Sequence, residues 1–204
     1  IVLQKFIKKI KQKSFQIGDA YLAGETNRIL NGKILSELMR NKPYTCLSDY
    51  EFKVFSQFGD DGIVQYLIHN VDIPNKTFIE FGVSHYEEAN TRFLLMNNNW
   101  AGLIMDGSQK HINRIQNSHY YWKYNLTAKH AFINRDNINP LLSSWVTDPD
   151  IGLLHIDLDG NDYYIWDAIT EINPRIVIAI SILNVNDESF LIGLLSLPLS
   201  TLTS

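Results

Sequence analysis

Apolar and polar positions follow two rhythms along this chain: short unbroken apolar runs, and stretches with the spacing of one helix face. Thr77–Phe81 is such a run and ends on Glu80-Phe81-Gly82; a helical pattern follows from about Ala89 to Asn98. A second run, Ala101–Met105, ends on Asp106-Gly107-Ser108. Short apolar runs fit strands covered on both faces, as in a parallel sheet. The rhythm continues with a short helix over Gln109–Asn117, a strand over Lys129–Ile133 and a helix start at Asn139-Pro140. The apolar run Leu153–Ile156 predicts a strand, Tyr163–Ile169 a helix, and Arg175–Ile182, behind Pro174, a further strand. The alternation predicts an α/β fold with a doubly wound, mostly parallel sheet.

Before this unit the pattern is helical. In residues 1–13, Leu3, Phe6, Ile7 and Ile10 share one helix face, with Lys5, Lys8, Lys9, Lys11 and Lys13 around it. Such a helix docks on a domain with its lysines in water, or lies on an anionic membrane as a peripheral contact; docking is the preferred reading. A second helical stretch runs from Ala20 to Met39, broken by Asn41-Lys42-Pro43. The chain divides into a helical segment, 1–54, an α/β domain, 55–182, and a Leu/Ser-rich tail, 183–204, without charge after Glu188.

At 204 residues, 45% hydrophobic and 20% charged, the chain is long enough for a real core and is not of disordered composition. Net charge is −4, which argues against nucleic acid as a partner. The lone Cys46 excludes an intrachain disulfide framework and a Cys-rich zinc site. No apolar run approaches ~18 residues, so no transmembrane helix is expected. A secretory signal is not expected either, because lysines fill the first segment, and the protein is placed in the cytoplasm. The chain starts at Ile1 rather than Met, as an internal fragment would.

Candidate chemistry gathers where strands end, the place where open α/β sheets bind ligands. One strand end offers Gly82; the next offers Asp106, whose two acceptor oxygens suit ribose hydroxyls. In FSQFGDDG, Phe55–Gly62, Asp60 and Asp61 suit a helix N-terminus, while a second reading turns Gln57 and one aspartate toward a ligand pocket. Asp157, Asp159, Asn161 and Asp162 follow the run Leu153–Ile156. Oxygen ligands at that density suit Mg²⁺, Mn²⁺ or Ca²⁺, or else Asp159-Gly160-Asn161 is a solvated turn and Asp162 caps the next helix. His155 shares a strand face with Asp157 and reads better as a packing residue than as a base; His85 is a weaker candidate base. Four tryptophans and ten tyrosines allow stacking on a sugar or adenine, although core packing accounts for most of them.

The order of Glu80-Phe81-Gly82, Asn90-Thr91-Arg92, WAGLIMDGS and IDLDGNDYYIW resembles class I S-adenosylmethionine-dependent methyltransferases, and more narrowly the FkbM-like group; FSQFGDDG fits the same group. The resemblance covers roughly Phe55 to Ile178. It implies a Rossmann-like methyltransferase fold, S-adenosylmethionine as cofactor, and O-methylation of a sugar or other small hydroxylated acceptor. By this likeness Glu80 and Gly82 sit at the methionine end of the cofactor, with Gln57 and Asn90 nearby. Asp106, with Gly107 and Ser108, holds the ribose. Asp157 and Asp159 face the methyl group and acceptor, as bases or as ligands of a divalent Mg²⁺ or Mn²⁺ ion together with Asn161 and Asp162. Two features depart from the group. Val83-Ser84-His85-Tyr86 stands where further glycines are usual, and the tail is too short for the usual last helix and strand pair, which points to missing or altered C-terminal strands.

Two other readings stand beside it. A nucleotide-sugar glycosyltransferase would use Asp157-Leu158-Asp159 as a metal-binding Asp-x-Asp motif. A degenerate methyltransferase-like domain would have lost catalysis. An NAD-dependent oxidoreductase fits less well, since Gly82–Glu87 lacks the second and third glycines of the dinucleotide fingerprint.

Overall fold

The computed structural model describes residues 2–184 and 187–194. The segment before the sheet forms one long helix, α1 (Val2–Arg40), and a 3₁₀ turn (Leu47–Tyr50). Then follow α2 (Asp60–Asn70), β1 (Thr77–Phe81), α3 (Arg92–Asn98), β2 (Ala101–Asp106), α4 (Gln109–Gln116), β3 (Leu126–His130) and α5 (Ile138–Ser143). The chain continues through β4 (Asp150–Ile156), α6 (Asp162–Ala168), β5 (Asn173–Asn184) and β6 (Asp187–Leu194). Of the sequence-defined tail, residues 185–186 and 195–204 lie outside the described residues.

The strands order as β3-β2-β1-β4-β5-β6. The first five are mutually parallel, and β6 returns antiparallel along β5. This is the doubly wound α/β fold that the alternating pattern predicts. The order reverses between β1 and β4, which opens a crevice beyond their carboxyl ends.

Alternate strand residues point to opposite sides of the sheet, and among the described residues helices bury apolar side chains on both faces. Phe78, Ile104 and Leu153 bury against Phe93 and Leu94 of α3 and Leu67 of α2. On the other face Ile79, Leu103 and Leu154 bury against Leu142 of α5 and Ile165 of α6. Glu80 shares the parity of Phe78 and lies level with His155 of β4. The ladder thus puts a carboxylate and an imidazole side by side on one face at the switch point.

Several boundaries differ from the sequence reading. The two helical stretches of the N-terminus fuse into α1, since no proline interrupts the residues between them. β3 starts at Leu126 rather than Lys129, because its register on Gly102–Asp106 of β2 decides where the ladder lies. Asn139 does not cap α5. Its side chain donates to the Ala168 carbonyl at 2.8 Å and accepts from Thr170 N–H at 2.9 Å, tying α5 to the end of α6. Among the described residues no helix is long and apolar enough to cross a membrane.

Candidate active site at the strand ends

Glu80 is buried and its four lone-pair sites are filled from within the protein. One oxygen accepts from Asn90 N–H at 3.1 Å and meets His155 Nδ1 at 2.9 Å; the other accepts from Thr91 N–H at 3.3 Å and Thr91 Oγ1 at 2.5 Å. The Tyr86 hydroxyl joins Thr91 Oγ1 at 2.8 Å. These bonds satisfy the amides of Asn90 and Thr91 just ahead of α3, which starts at Arg92 and not at Ala89. His155 Nε2 faces the Asn90 carboxamide at 3.0 Å. Burial pulls the His155 pKa down, but the Glu80 hydrogen bond and charge, helped by Asp157 and Asp60, outweigh it and hold it above the ordinary range.

Beyond β1 the chain passes under the end of β4. Gly82 has φ +75°, and a Cβ there would lie 1.8 Å from the Asp157 carbonyl oxygen, so only glycine fits. The residues that replace further glycines keep a glycine-like path: Ser84 has φ 48° and Tyr86 φ 57°. Left-handed backbone costs an L-residue roughly 1–2 kcal/mol. Bonds to neighbours offset this cost, Tyr86 through Thr91 and Ser84 through its N–H to Asp106 Oδ2 at 2.8 Å.

Asp106 is more occupied than the sequence suggests. Oδ1 accepts from Ser108 N–H at 2.7 Å and meets His111 Nδ1 at 3.0 Å, so with Ser84 three of about four lone-pair sites are taken. The expectation of two free oxygens is corrected: room for one ribose hydroxyl remains. Gly107 is open, a Cβ meeting only Phe132 at 3.5 Å, and Ser108 caps α4 by accepting from His111 N–H at 3.4 Å.

Two clefts meet over Gly82, Ser84 and Asp157. The first, of 530 Å³, is lined by Glu80, Asn90 and His155, by Gln57 from the turn before α2 and Asp60 at its start, and by Arg28 of α1. The second, of 440 Å³, runs from Asp106 and Gly107 to Phe132 and on to Leu158, Asp159 and Asn161. Phe132 is 80% exposed, a free ring face at the edge of this cleft. Of the two aspartates that open α2, Asp60 faces the ligand side. Asp61 folds the turn instead: its Oδ2 accepts from the N–H groups of Val54, Phe55 and Ser56, each at 2.7 Å, and from Ser56 Oγ at 2.9 Å.

The acids after β4 separate by role. Asp157 is half-buried, lines both clefts, and among the described residues no hydrogen bond holds its carboxylate. Burial pushes its pKa up; His155 opposes, while Asp159 and Glu80 add to the rise. Asp159 is exposed, with φ 48°, in the solvated turn with Gly160 and Asn161. Asp162 turns inward and its Oδ1 accepts from Leu158 N–H at 2.6 Å. The expected metal set of Asp157, Asp159, Asn161 and Asp162 is therefore not assembled: among the described residues no three His, Cys, Asp or Glu side chains are grouped to hold an ion.

No protein-family model matches the chain, and no curated protein matches it. Among solved structures the chain is similar to the O-methyltransferase from Bacillus cereus in complex with SAH, with a TM-score of 0.41 and 13% identity over 74% of this chain. The chain spans 56% of that protein's length.

One buried cluster beneath the site escapes a reading of the sequence. Arg92, on the floor of the loop, pairs with Glu25 of α1 at 2.5 Å, and His119 Nε2 meets the other Glu25 oxygen at 2.8 Å. The guanidinium lies between the rings of Phe55 and Tyr120, 4.4 and 4.6 Å from their centroids, and donates to the Tyr86 carbonyl at 3.1 Å. Its one signal in the sequence is an arginine between the polar Asn90-Thr91 and the apolar run Phe93–Met96.

Proposed function

We propose that the protein is an S-adenosylmethionine-dependent methyltransferase that methylates a hydroxyl of a sugar or another small acceptor. The observation that carries this reading is Asp157, a half-buried carboxylate without a hydrogen-bonding partner among the described residues, at the junction of two clefts. One cleft ends on a strand-end acid and an open aromatic ring, the other on a polar chamber. The order of motifs from Phe55 to Ile178 supports the same reading.

The residues fit the cofactor in a specific way. Asp106 has one acceptor site left for a ribose hydroxyl, Phe132 offers a face for a base, and Gly82 lets the chain pass close to the Asp157 backbone where the clefts meet. S-adenosylmethionine, when bound, supplies a methyl group on a positively charged sulfur. Asp157 accepts the proton of the acceptor hydroxyl, and its burial makes it a stronger base than an ordinary carboxylate. Asp159, out in solvent, is the weaker candidate for this role. Glu80 and His155 hold the Asn90-Thr91 backbone in place, so they orient rather than react.

Calorimetric titration with S-adenosylmethionine and S-adenosylhomocysteine tests the reading. The expected result is micromolar binding of both, weakened about tenfold in Asp106→Asn, where one hydrogen-bond acceptor is lost. Absence of binding by a protein with native circular dichroism would sink it. UDP-sugars with Mn²⁺ are then the ligands to titrate.

A further inference from the structure

In the N-terminal half of α1, among residues 4–24, every described position is exposed, and burial begins at Glu25. Residues 2–18 extend for about 26 Å at 1.5 Å per residue. Ile10, Ile17 and Tyr21 are 53%, 62% and 48% exposed and fall on one stripe. One turn further, the same stripe reaches Glu25, which is buried against Arg92. The free apolar face is thus the continuation of the face that docks on the domain. Lys11 and Lys13 flank it on either side, and residues 1–18 contain five lysines and no acid in a chain of net charge −4.

We infer that this overhang packs on a second copy of the chain, each copy giving its helix to the acidic body of the other. The phase of the stripe selects this occupant. A flat bilayer would have to meet the stripe on the side where the helix's own domain stands, whereas a second folded body fits beside that domain. Charge selects it as well: the lysines leave the rest of the molecule more acidic than its overall −4, so helix and partner body attract, while two overhangs laid together would repel. Two overhangs about 26 Å long and 10 Å wide, counted on both surfaces, bury on the order of 1,000 Å², the lower bound for a specific interface. Tyr21 also lines the first cleft, so the exchanged helices would lie next to the site entrance.

Sedimentation equilibrium of the full chain over a range of concentrations tests this. The expected result is a monomer–dimer equilibrium that weakens with added salt. It should weaken about 100-fold in Ile10→Glu/Ile17→Glu, which puts charge into the buried stripe, and measurably in Lys9→Glu/Lys11→Glu/Lys13→Glu. All these positions are exposed, and circular dichroism would report that the variants stay folded. A monomer at every concentration overturns the inference, as does a dimer unaffected by the isoleucine changes, which would place the interface elsewhere. Flotation with phosphatidylglycerol vesicles is the third arm: binding of the monomer through the same residues would assign the face to lipid instead.

Discussion

Asp157 is the residue on which the proposed chemistry turns, and its environment makes a signed prediction. Its pKa is raised first by burial and then by the charges of Asp159 and Glu80, against the pull of His155. Removing a neighbouring negative charge relieves the repulsion that resists ionisation. Asp159→Asn should therefore lower the Asp157 midpoint, and His155→Phe should raise it, both followed by carboxyl carbon NMR through a pH titration. If Asp157 is the base of the proposed reaction, it acts when ionised, and methyl transfer should fail as pH falls through this raised midpoint, at higher pH than for an exposed aspartate. A midpoint indifferent to Asp159 would mean that the turn is held farther from β4 than the structure places it. Asp106 shows the complementary economy. Its acceptors are mostly used to hold Ser84 and the start of α4, so it builds the site as well as facing it.

At the scale of elements, α1 is joined to the sheet domain by the buried Glu25–Arg92 pair with His119. Removing one partner of a buried pair leaves an uncompensated charge and costs roughly 3–5 kcal/mol, whereas replacing both with apolar residues of similar volume is often neutral. Arg92→Met and Glu25→Leu should each destabilise by that amount in urea unfolding, and the double variant should recover most of the loss; additive losses would show that the two side chains are not coupled. This joint also marks the limit of what the sequence discloses. β1 is legible to the residue, Thr77–Phe81, because a short apolar run between a loop and a glycine admits one reading. Glu80, Gly82, Asp106 and Asp157 are legible as strand-end residues for the same reason, and all four border the clefts. Glu25 and Arg92 lie 67 residues apart, and no local pattern couples a glutamate on a helix to an arginine at the start of another. The start of α3 and the occupied oxygens of Asp106 are hidden likewise, since side chains from other elements decide where those hydrogen bonds go.

At the scale of the whole molecule, the chain separates into a packed body and a protruding helix within one continuous secondary-structure element. The sheet, covered by helices on both faces, holds the buried side chains, and α1 joins it from Glu25 onward through Glu25, Gly32 and Ser36. Gly32 faces Val54 and Phe93 so closely that a Cβ there would lie 2.4 Å from Val54 Cγ2, which shows how tightly this half of the helix sits. The first half contributes no described buried residue, and an isolated helix of that length is marginal in water. A chain beginning at Asp19 should therefore match the full chain in unfolding free energy to within about 1 kcal/mol when both are dilute monomers. It should lose helical ellipticity in proportion to the missing turns and still bind S-adenosylmethionine, because Arg28, Glu25 and the strand ends remain. A loss well beyond that margin would mean that the overhang packs on its own domain, and the exposed stripe from Ile10 to Tyr21 would then need no second copy to cover it.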